Sequence, residues 1–545
     1  MFTSKLFFFT SVMVILSSCM KRVDCDLVIH NAKIYSMNNS HELFEAMAIK
    51  DGKILELGPE RQILNKYSYS SAYDAQLMTI YPGFIDAHCH FLGYGLSLQQ
   101  INLKACRSFD EVLLALSQFQ INDTLGWIEG RGWDQTTWKN TSYPNKQRLD
   151  SLFSNQPVII RRIDGHAALV NSKALEIAGI TSATIIEGGH IEIINNELTG
   201  ILIDNAVDSV LRLIPAPTIS QKKRALLKAQ ANCFEVGLTT VDDAGLKKTE
   251  IEAIQALHKS GSLKMRIYAM LTDNEENFAH YLKNGPIKTN KLNVRSFKFY
   301  GDGALGSRGA CLLRPYKDDT SNYGMLLSNE DYFKTKAQAL YKAGFQMNTH
   351  CIGDSAARLI MKIYGEVLQK NNDKRWRIEH AQLVHHADIN LFKQFNIIPS
   401  VQPTHATSDM RWAVLRVGIQ RLKYGYAYEK LRNQNGMIAL GTDFPIENIS
   451  PIETFYAAVA RKDLNGTPKN GFQIEDALSR LNAMKGMTIW AATANFEEKE
   501  KGSLEIGKLA DFVILNRDIM SCEEDDILRT QVIRTYIDGN TVFKN

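Results

Sequence analysis

Apolar and polar positions follow two rhythms along this chain. Near the N-terminus, DLVIHNAKIY (26–35) and FEAMAIKDGKILELG (44–58) are short, strand-length runs of β-forming residues. Asp51-Gly52 marks a hairpin turn inside the second. KGSLEIGKLADFVILN (501–516) and VIRTYIDGNTV (532–542) have the same texture at the other end. These strands predict one small β-sandwich, built from residues 19–78 and 495–545, that brackets the centre.

Between the two ends, apolar runs of strand length alternate with helical patterns. Strands are predicted at 79–86, 238–242, 265–271, 294–300, 345–350, 375–380, 397–402 and 437–442, and helices at 222–236, 249–260, 329–343, 355–369 and 388–395. Eight strands alternating with helices predict an α/β fold, a (β/α)8 TIM barrel over residues 79–494. An open doubly wound sheet is the alternative, but no glycine-rich dinucleotide fingerprint follows an early strand. Roughly 150 residues separate the first two strands, far beyond a βα connection. That segment has its own strands and turns, PVIIRRIDGH (157–166) and EGGHIEII (187–194) among them. It predicts an inserted domain, residues 100–220, that caps the barrel mouth. Trp127, Trp133 and Trp138 lie in it and form either its core or an apolar wall for substrate, with Trp133 the candidate contact.

The first residues break both rhythms. Lys5 precedes the apolar run LFFFTSVMVIL (6–16), and Ser17, Ser18 and Cys19 follow. The run is about ten residues, short of the roughly 20 that span a bilayer. Leu16-Ser17-Ser18-Cys19 resembles the lipobox of bacterial lipoproteins. That resemblance implies removal of residues 1–18 as a signal peptide and acylation of Cys19, tethering the chain in the cell envelope, facing the periplasm or the surface. The alternative is an ordinary secretory signal. The seven other cysteines are scattered, with no CxxC pair, so neither a thiolate zinc site nor a disulfide framework is suggested. The 545-residue chain is 45% hydrophobic and 22% charged, with a net charge of +4, so it is near neutral for its length. That balance argues against a nucleic-acid partner.

The chemistry sits at strand ends, where barrel enzymes keep it. PGFIDAHCH (82–90) ends in His88 and His90, two residues apart and so on one face of a strand. Strand four carries Lys298 between Phe297 and Phe299; strand five ends in His350, strand six in His380, strand eight in Asp443. Burial among aromatic rings penalises a lysine's charged form. A neutral lysine amine adds carbon dioxide to give an anionic carbamate, whose two oxygens bridge two metal ions. The alternative is a plain ion pair between Lys298 and Asp302.

These residues resemble the metal-dependent amidohydrolase superfamily. GDGALGSRGA (301–310), HCIGDSA (350–356), IEHAQ (378–382) and DGHAALVNSKAL (164–175) resemble its family 3, which includes N-substituted formamide deformylases. The resemblance implies that His88, His90 and Asp443 bind one divalent ion and His350 and His380 a second, with carbamylated Lys298 bridging them. Zinc suits these ligands; iron or manganese also fit. Two cations sharing one water lower its pKa, and the resulting bridging hydroxide attacks a carbonyl. Asp443 relays the proton to the leaving nitrogen. His166 and Arg308 sit in family phrases and are candidate substrate contacts. The expected function is hydrolysis of a carbon–nitrogen bond in a formamide, other non-peptide amide or cyclic amide. The alternatives are an esterase, lactonase or phosphotriesterase on the same centre, or an envelope lipoprotein that binds without turnover. Expected partners are a small-molecule amide, a membrane through the lipid anchor, and a second copy of the chain in a homodimer.

Overall fold

A computed structural model describes residues 22–118, 126–162, 167–186 and 189–545. The lipobox with Cys19, and His166, lie outside the described residues. Among the described residues no helix is long and apolar enough to cross a membrane.

Eight parallel strands form the centre: β1 (Phe84–Cys89), β2 (Leu238–Leu246), β3 (Arg266–Thr272), β4 (Leu292–Tyr300), β5 (Gln346–Cys351), β6 (Arg377–His380), β7 (Ile398–Val401) and β8 (Ala439–Leu440). They pair in sequence order from β1 to β8. The ring closes where the segment after β8 returns to β1. The Asp443 N–H donates to the His88 carbonyl at 2.8 Å, and the His90 N–H to the Phe444 carbonyl at 2.8 Å. Gly441 makes this approach sterically possible, since a Cβ there would lie 2.5 Å from the His88 nitrogen.

Helices follow most strands and bury one apolar face on the barrel. The helix Ile219–Glu235 starts with a capping box, Thr218 and Gln221 each satisfying the other's backbone N–H. The helix Glu330–Ala343 starts on the Asn329 side chain and stops at Gly344, in left-handed backbone. Phe278 stacks on Phe297 of β4 at 4.8 Å, part of the large cluster between barrel and helices.

The first barrel strand differs from its sequence-based bounds. The run 79–86 is divided at Gly83. Thr79–Pro82 belongs to a six-stranded sheet at the termini, in the order Asn540–Lys544, Val532–Ile537, Phe512–Leu515, Thr79–Pro82, Lys33–Tyr35, Leu43–Phe44. Only Phe84–Cys89 enters the barrel. A second terminal sheet orders Lys53–Gly58, Ala46–Lys50, Val23–His30 and Tyr67–Asp74. Ile29, Met47 and Ile49 of this sheet share one apolar cluster with Ile34, Ile80, Phe512 and Ile514 of the other. Arg266 of β3 locks the barrel to the C-terminal strands: its buried guanidinium holds Asp511 at 2.5 and 2.9 Å and Asp538 at 2.5 Å.

Between β1 and β2 the chain builds a separate six-stranded sheet, in the order Gly189–Ile194, Glu197–Asp204, Ala167–Val170, Val158–Arg162, Ile128–Trp133, Ile101–Asn102. Trp133 is 0% exposed and donates its indole N–H to the Ile160 carbonyl at 2.9 Å. With Trp138 it packs in the apolar centre of this segment. It is therefore a core residue of the insert, not an exposed wall.

Candidate metal centre

Sequence places His88 and His90 together on one strand; the structure separates them. His88 is in β1, but β1 ends at Cys89, and His90 is the first turn's N-cap for the helix Phe91–Ser97. Their side chains still meet at one carboxylate. His90 Nε2 lies 3.2 Å and His88 Nε2 3.6 Å from Asp443 Oδ1.

Each imidazole is oriented from behind. His88 Nδ1 donates to Glu379 Oε2 at 2.6 Å, His90 Nδ1 to the Ala244 carbonyl at 3.0 Å, and His380 Nδ1 to Gln402 Oε1 at 2.8 Å. With Nδ1 held in all three, Nε2 is the atom left to face inward. Glu379 is buried; burial pushes its carboxyl up, but His88, then Arg377 and Lys298, outweigh this and hold it below the usual range.

Lys298 is 1% exposed and its Nζ lies 2.9 Å from His88 Nε2, over the ring of Tyr300. Burial pushes the lysine down from its ordinary value, against the pull of Glu379 and Asp443. The Lys298–Asp302 alternative finds no support: Asp302 accepts the backbone N–H groups of Cys311, Ile352 and Gly353 at 2.7–3.0 Å. The rings of His350 and His380 stand 4.4 Å apart, and those of His88 and His380 5.0 Å. Burial lowers all three; His350 is pushed to about 3, with the Lys298 cation adding to the shift.

Asp443 is the hub. Burial alone would raise its carboxyl, but His90, then His88, His380 and His405, hold it well below the usual range. It sits in left-handed backbone (φ 62°), as does His380 (φ 69°), conformations that non-glycine residues seldom adopt and that recur at functional sites. Beneath it, Asp86 accepts the Thr442 hydroxyl at 2.7 Å and the backbone N–H of Thr442 and His88. Asp86 therefore ties the two strand ends that carry His88 and Asp443.

Five of the six expected ligands thus lie in one chain of imidazole, amine and carboxylate contacts at the barrel mouth, and His350 joins it through His380. Arg308 lies on the loop after β4, paired with Asp318 at 3.0 Å. Sequence reasoning missed His405, whose Nε2 lies 3.7 Å from Asp443 Oδ2. It also gave no role to Glu379 or Gln402. The available signal was QPTH (402–405), a histidine just past the seventh strand's end.

A divalent cation fits these residues. His350 Nε2, His405 Nε2 and Asp443 Oδ1 are buried atoms without a hydrogen-bond partner. His88, His90 and Asp443 bring three donor atoms within 4.8 Å of one another, and so do His380, His405 and Asp443. Nitrogen donors with one carboxylate are a common donor set for zinc.

A parallel eight-stranded barrel with such a cluster at its strand ends defines a class, the metal-dependent hydrolases. Within it, the chain belongs to the amidohydrolase family, whose model matches residues 71–543. It is 31% identical to the protein LONG AFTER FAR-RED 3 of Arabidopsis thaliana, over 95% of this chain and 91% of that one. It is 24% identical to the N-substituted formamide deformylase of Arthrobacter pascens, over 94% of this chain and 97% of that one. Among solved structures, an uncharacterized metal-dependent hydrolase from Pyrococcus furiosus superposes with a TM-score of 0.77 at 25% identity, covering 91% of this chain and all of its own.

Proposed function

We propose that this chain hydrolyses a carbon–nitrogen bond in a formamide, another non-peptide amide or a cyclic amide. One observation carries the reading: the buried Asp443 carboxylate stands at the centre of a histidine cluster, 3.6, 3.2 and 3.7 Å from the Nε2 atoms of His88, His90 and His405. His88, His90 and Asp443 would hold one divalent ion, and His350 and His380 a second. Bound there, such ions supply a Lewis acid for the carbonyl oxygen and a lowered pKa for water.

The chain's own residues do the rest. Asp443 accepts the proton of the attacking water and returns it to the departing nitrogen as the carbon–nitrogen bond breaks. An amine leaves poorly without that proton, so the relay matters more for an amide than for an ester. Glu379, Gln402 and the Ala244 carbonyl keep the imidazoles in one tautomer throughout. Lys298, buried beside His88, would be the bridging residue: a carbamate formed at its Nζ from carbon dioxide, with loss of a proton, would supply an anionic donor to both ions. The match to a formamide deformylase over nearly the whole chain supports the bond class. The lipobox-like stretch supports an envelope location, with Cys19 acylated.

Matched amides and esters, including N-formyl, N-acyl and cyclic amides, presented to zinc-loaded protein test this reading. Turnover of one of the amides is expected; turnover of esters alone would reject it.

A further inference from the structure

The barrel's seventh strand contributes no ligand to the set described so far, yet the helix that follows it delivers a side chain into the cluster. His405 lies in the first turn of the helix Pro403–Leu422. Its Nε2 is buried and makes no hydrogen bond. Asp443 Oδ2 is 3.7 Å away, too far for an N–H···O bond. A buried imidazole nitrogen left unpaired beside an anionic oxygen has a gap to account for.

The size of that gap has a parallel in the same site. His88 Nε2 and His90 Nε2 stand 3.6 and 3.2 Å from Asp443 Oδ1. Two donors each about 2.1 Å from one tetrahedral ion stand roughly 3.4 Å apart. The separation of His405 from Asp443 therefore matches that of donors around a shared cation. The two oxygens of Asp443 divide the work: Oδ1 faces His88 and His90, while Oδ2 faces His405. The His380 ring lies parallel to the His405 ring at 5.9 Å, and His380, His405 and Asp443 form a second three-donor group.

The supporting backbone links the same pair. Gln402 holds His380 Nδ1, and the Gln402 carbonyl accepts the His405 N–H at 3.1 Å and the Tyr428 hydroxyl at 2.9 Å. One short turn thus orients one imidazole and supplies the next.

We propose that His405 is a metal ligand, adding with Asp443 to the His350 and His380 donors of the second ion. This rests on the metal-hydrolase reading. It adds a protein donor from the seventh strand's end and makes Asp443 a bridge between the two ion positions. Its second ion is thereby held by nitrogen and carboxylate donors suited to zinc or cobalt(II).

The test is metal binding by the purified full chain, wild type against His405→Ala and His405→Gln. Metal content, affinity for zinc in competition with a chelator, and the visible spectrum of the cobalt(II)-loaded protein are measured. Thermal melts of the metal-free proteins check folding. The expected result is two ions in the wild type, with weaker binding of one in both variants. That loss should exceed the roughly 10–100-fold typical of removing a residue that only orients a ligand. The cobalt spectrum should change as well. Unchanged stoichiometry, affinity and spectrum in folded variants would overturn the role of His405 and leave the hydrolase reading standing. A wild type that takes up no metal would overturn both.

Discussion

The backbone N–H of Asp443 donates to the carbonyl of His88 at 2.8 Å, while their side chains approach to 3.6 Å. One contact closes the barrel and the other builds its site. The last and first strands therefore cannot separate without dispersing the donors.

Gly441→Ala tests that coupling. The added Cβ would lie 2.5 Å from the His88 nitrogen and 2.7 Å from Asp86 Oδ1. Overpacking of this kind costs about 1–3 kcal/mol. A lowered melting temperature and a drop in zinc uptake are expected together, from a thermal melt and metal analysis of one preparation. Reduced stability with full zinc uptake would show that closure and site are separable.

Asp443→Asn keeps the side chain's shape and removes the proton acceptor. Turnover should fall by about 10²–10⁴-fold, the usual weight of general acid–base catalysis, while part of the metal is retained. The check is kcat beside metal content. Near-wild-type turnover would remove Asp443 from the proton relay.

Lys298→Ala should lose nearly all activity and regain part of it when acetate or propionate is added, since a short carboxylate can stand where the carbamate would. The rate is followed against additive concentration. Full activity without additive would show that no bridge from Lys298 is needed.

Arg266→Met probes the joint between barrel and terminal strands. It leaves the carboxylate of Asp511 buried and unpaired, and breaking such a pair costs about 3–5 kcal/mol. Burial raises the Asp511 carboxyl, but Arg266 outweighs it and the folded value is lowered. A lowered carboxylate stabilises the fold above its unfolded value, near 3.9, and that stability is lost as pH falls through the folded value. In the variant Asp511 loses its cation, and protonation relieves the buried charge. Urea unfolding should therefore show a large gap between the two proteins at pH 7 that narrows toward pH 4. A gap independent of pH would assign the loss to packing alone.

Much of the centre is legible in the sequence because barrel strands present residues at their C-terminal ends, and histidine, lysine and aspartate there stand out against apolar runs. Lys298, His350, His380 and Asp443 all fall within or just beyond the predicted strands. Other features depend on non-local geometry. The apolar run through residues 79–86 does not reveal that Gly83 passes the chain from one sheet to another. A Cβ at Gly83 would lie 2.3 Å from Thr239 Oγ1, a constraint that only the folded neighbour imposes. His405 sits past a strand end on a helix, and only the direction of that helix brings it to Asp443. Trp133 has the composition of a binding wall, and its burial decides otherwise.

In the proposed centre, side chains far apart in sequence converge on two cations at the barrel mouth. Anomalous diffraction at the zinc edge, from crystals of protein supplied with zinc and bicarbonate, tests it most directly. Two peaks are expected, one among His88, His90 and Asp443 and one beside His380, with density for a carbamate on Lys298 between them. Fully loaded crystals with no peak within reach of these side chains would contradict it.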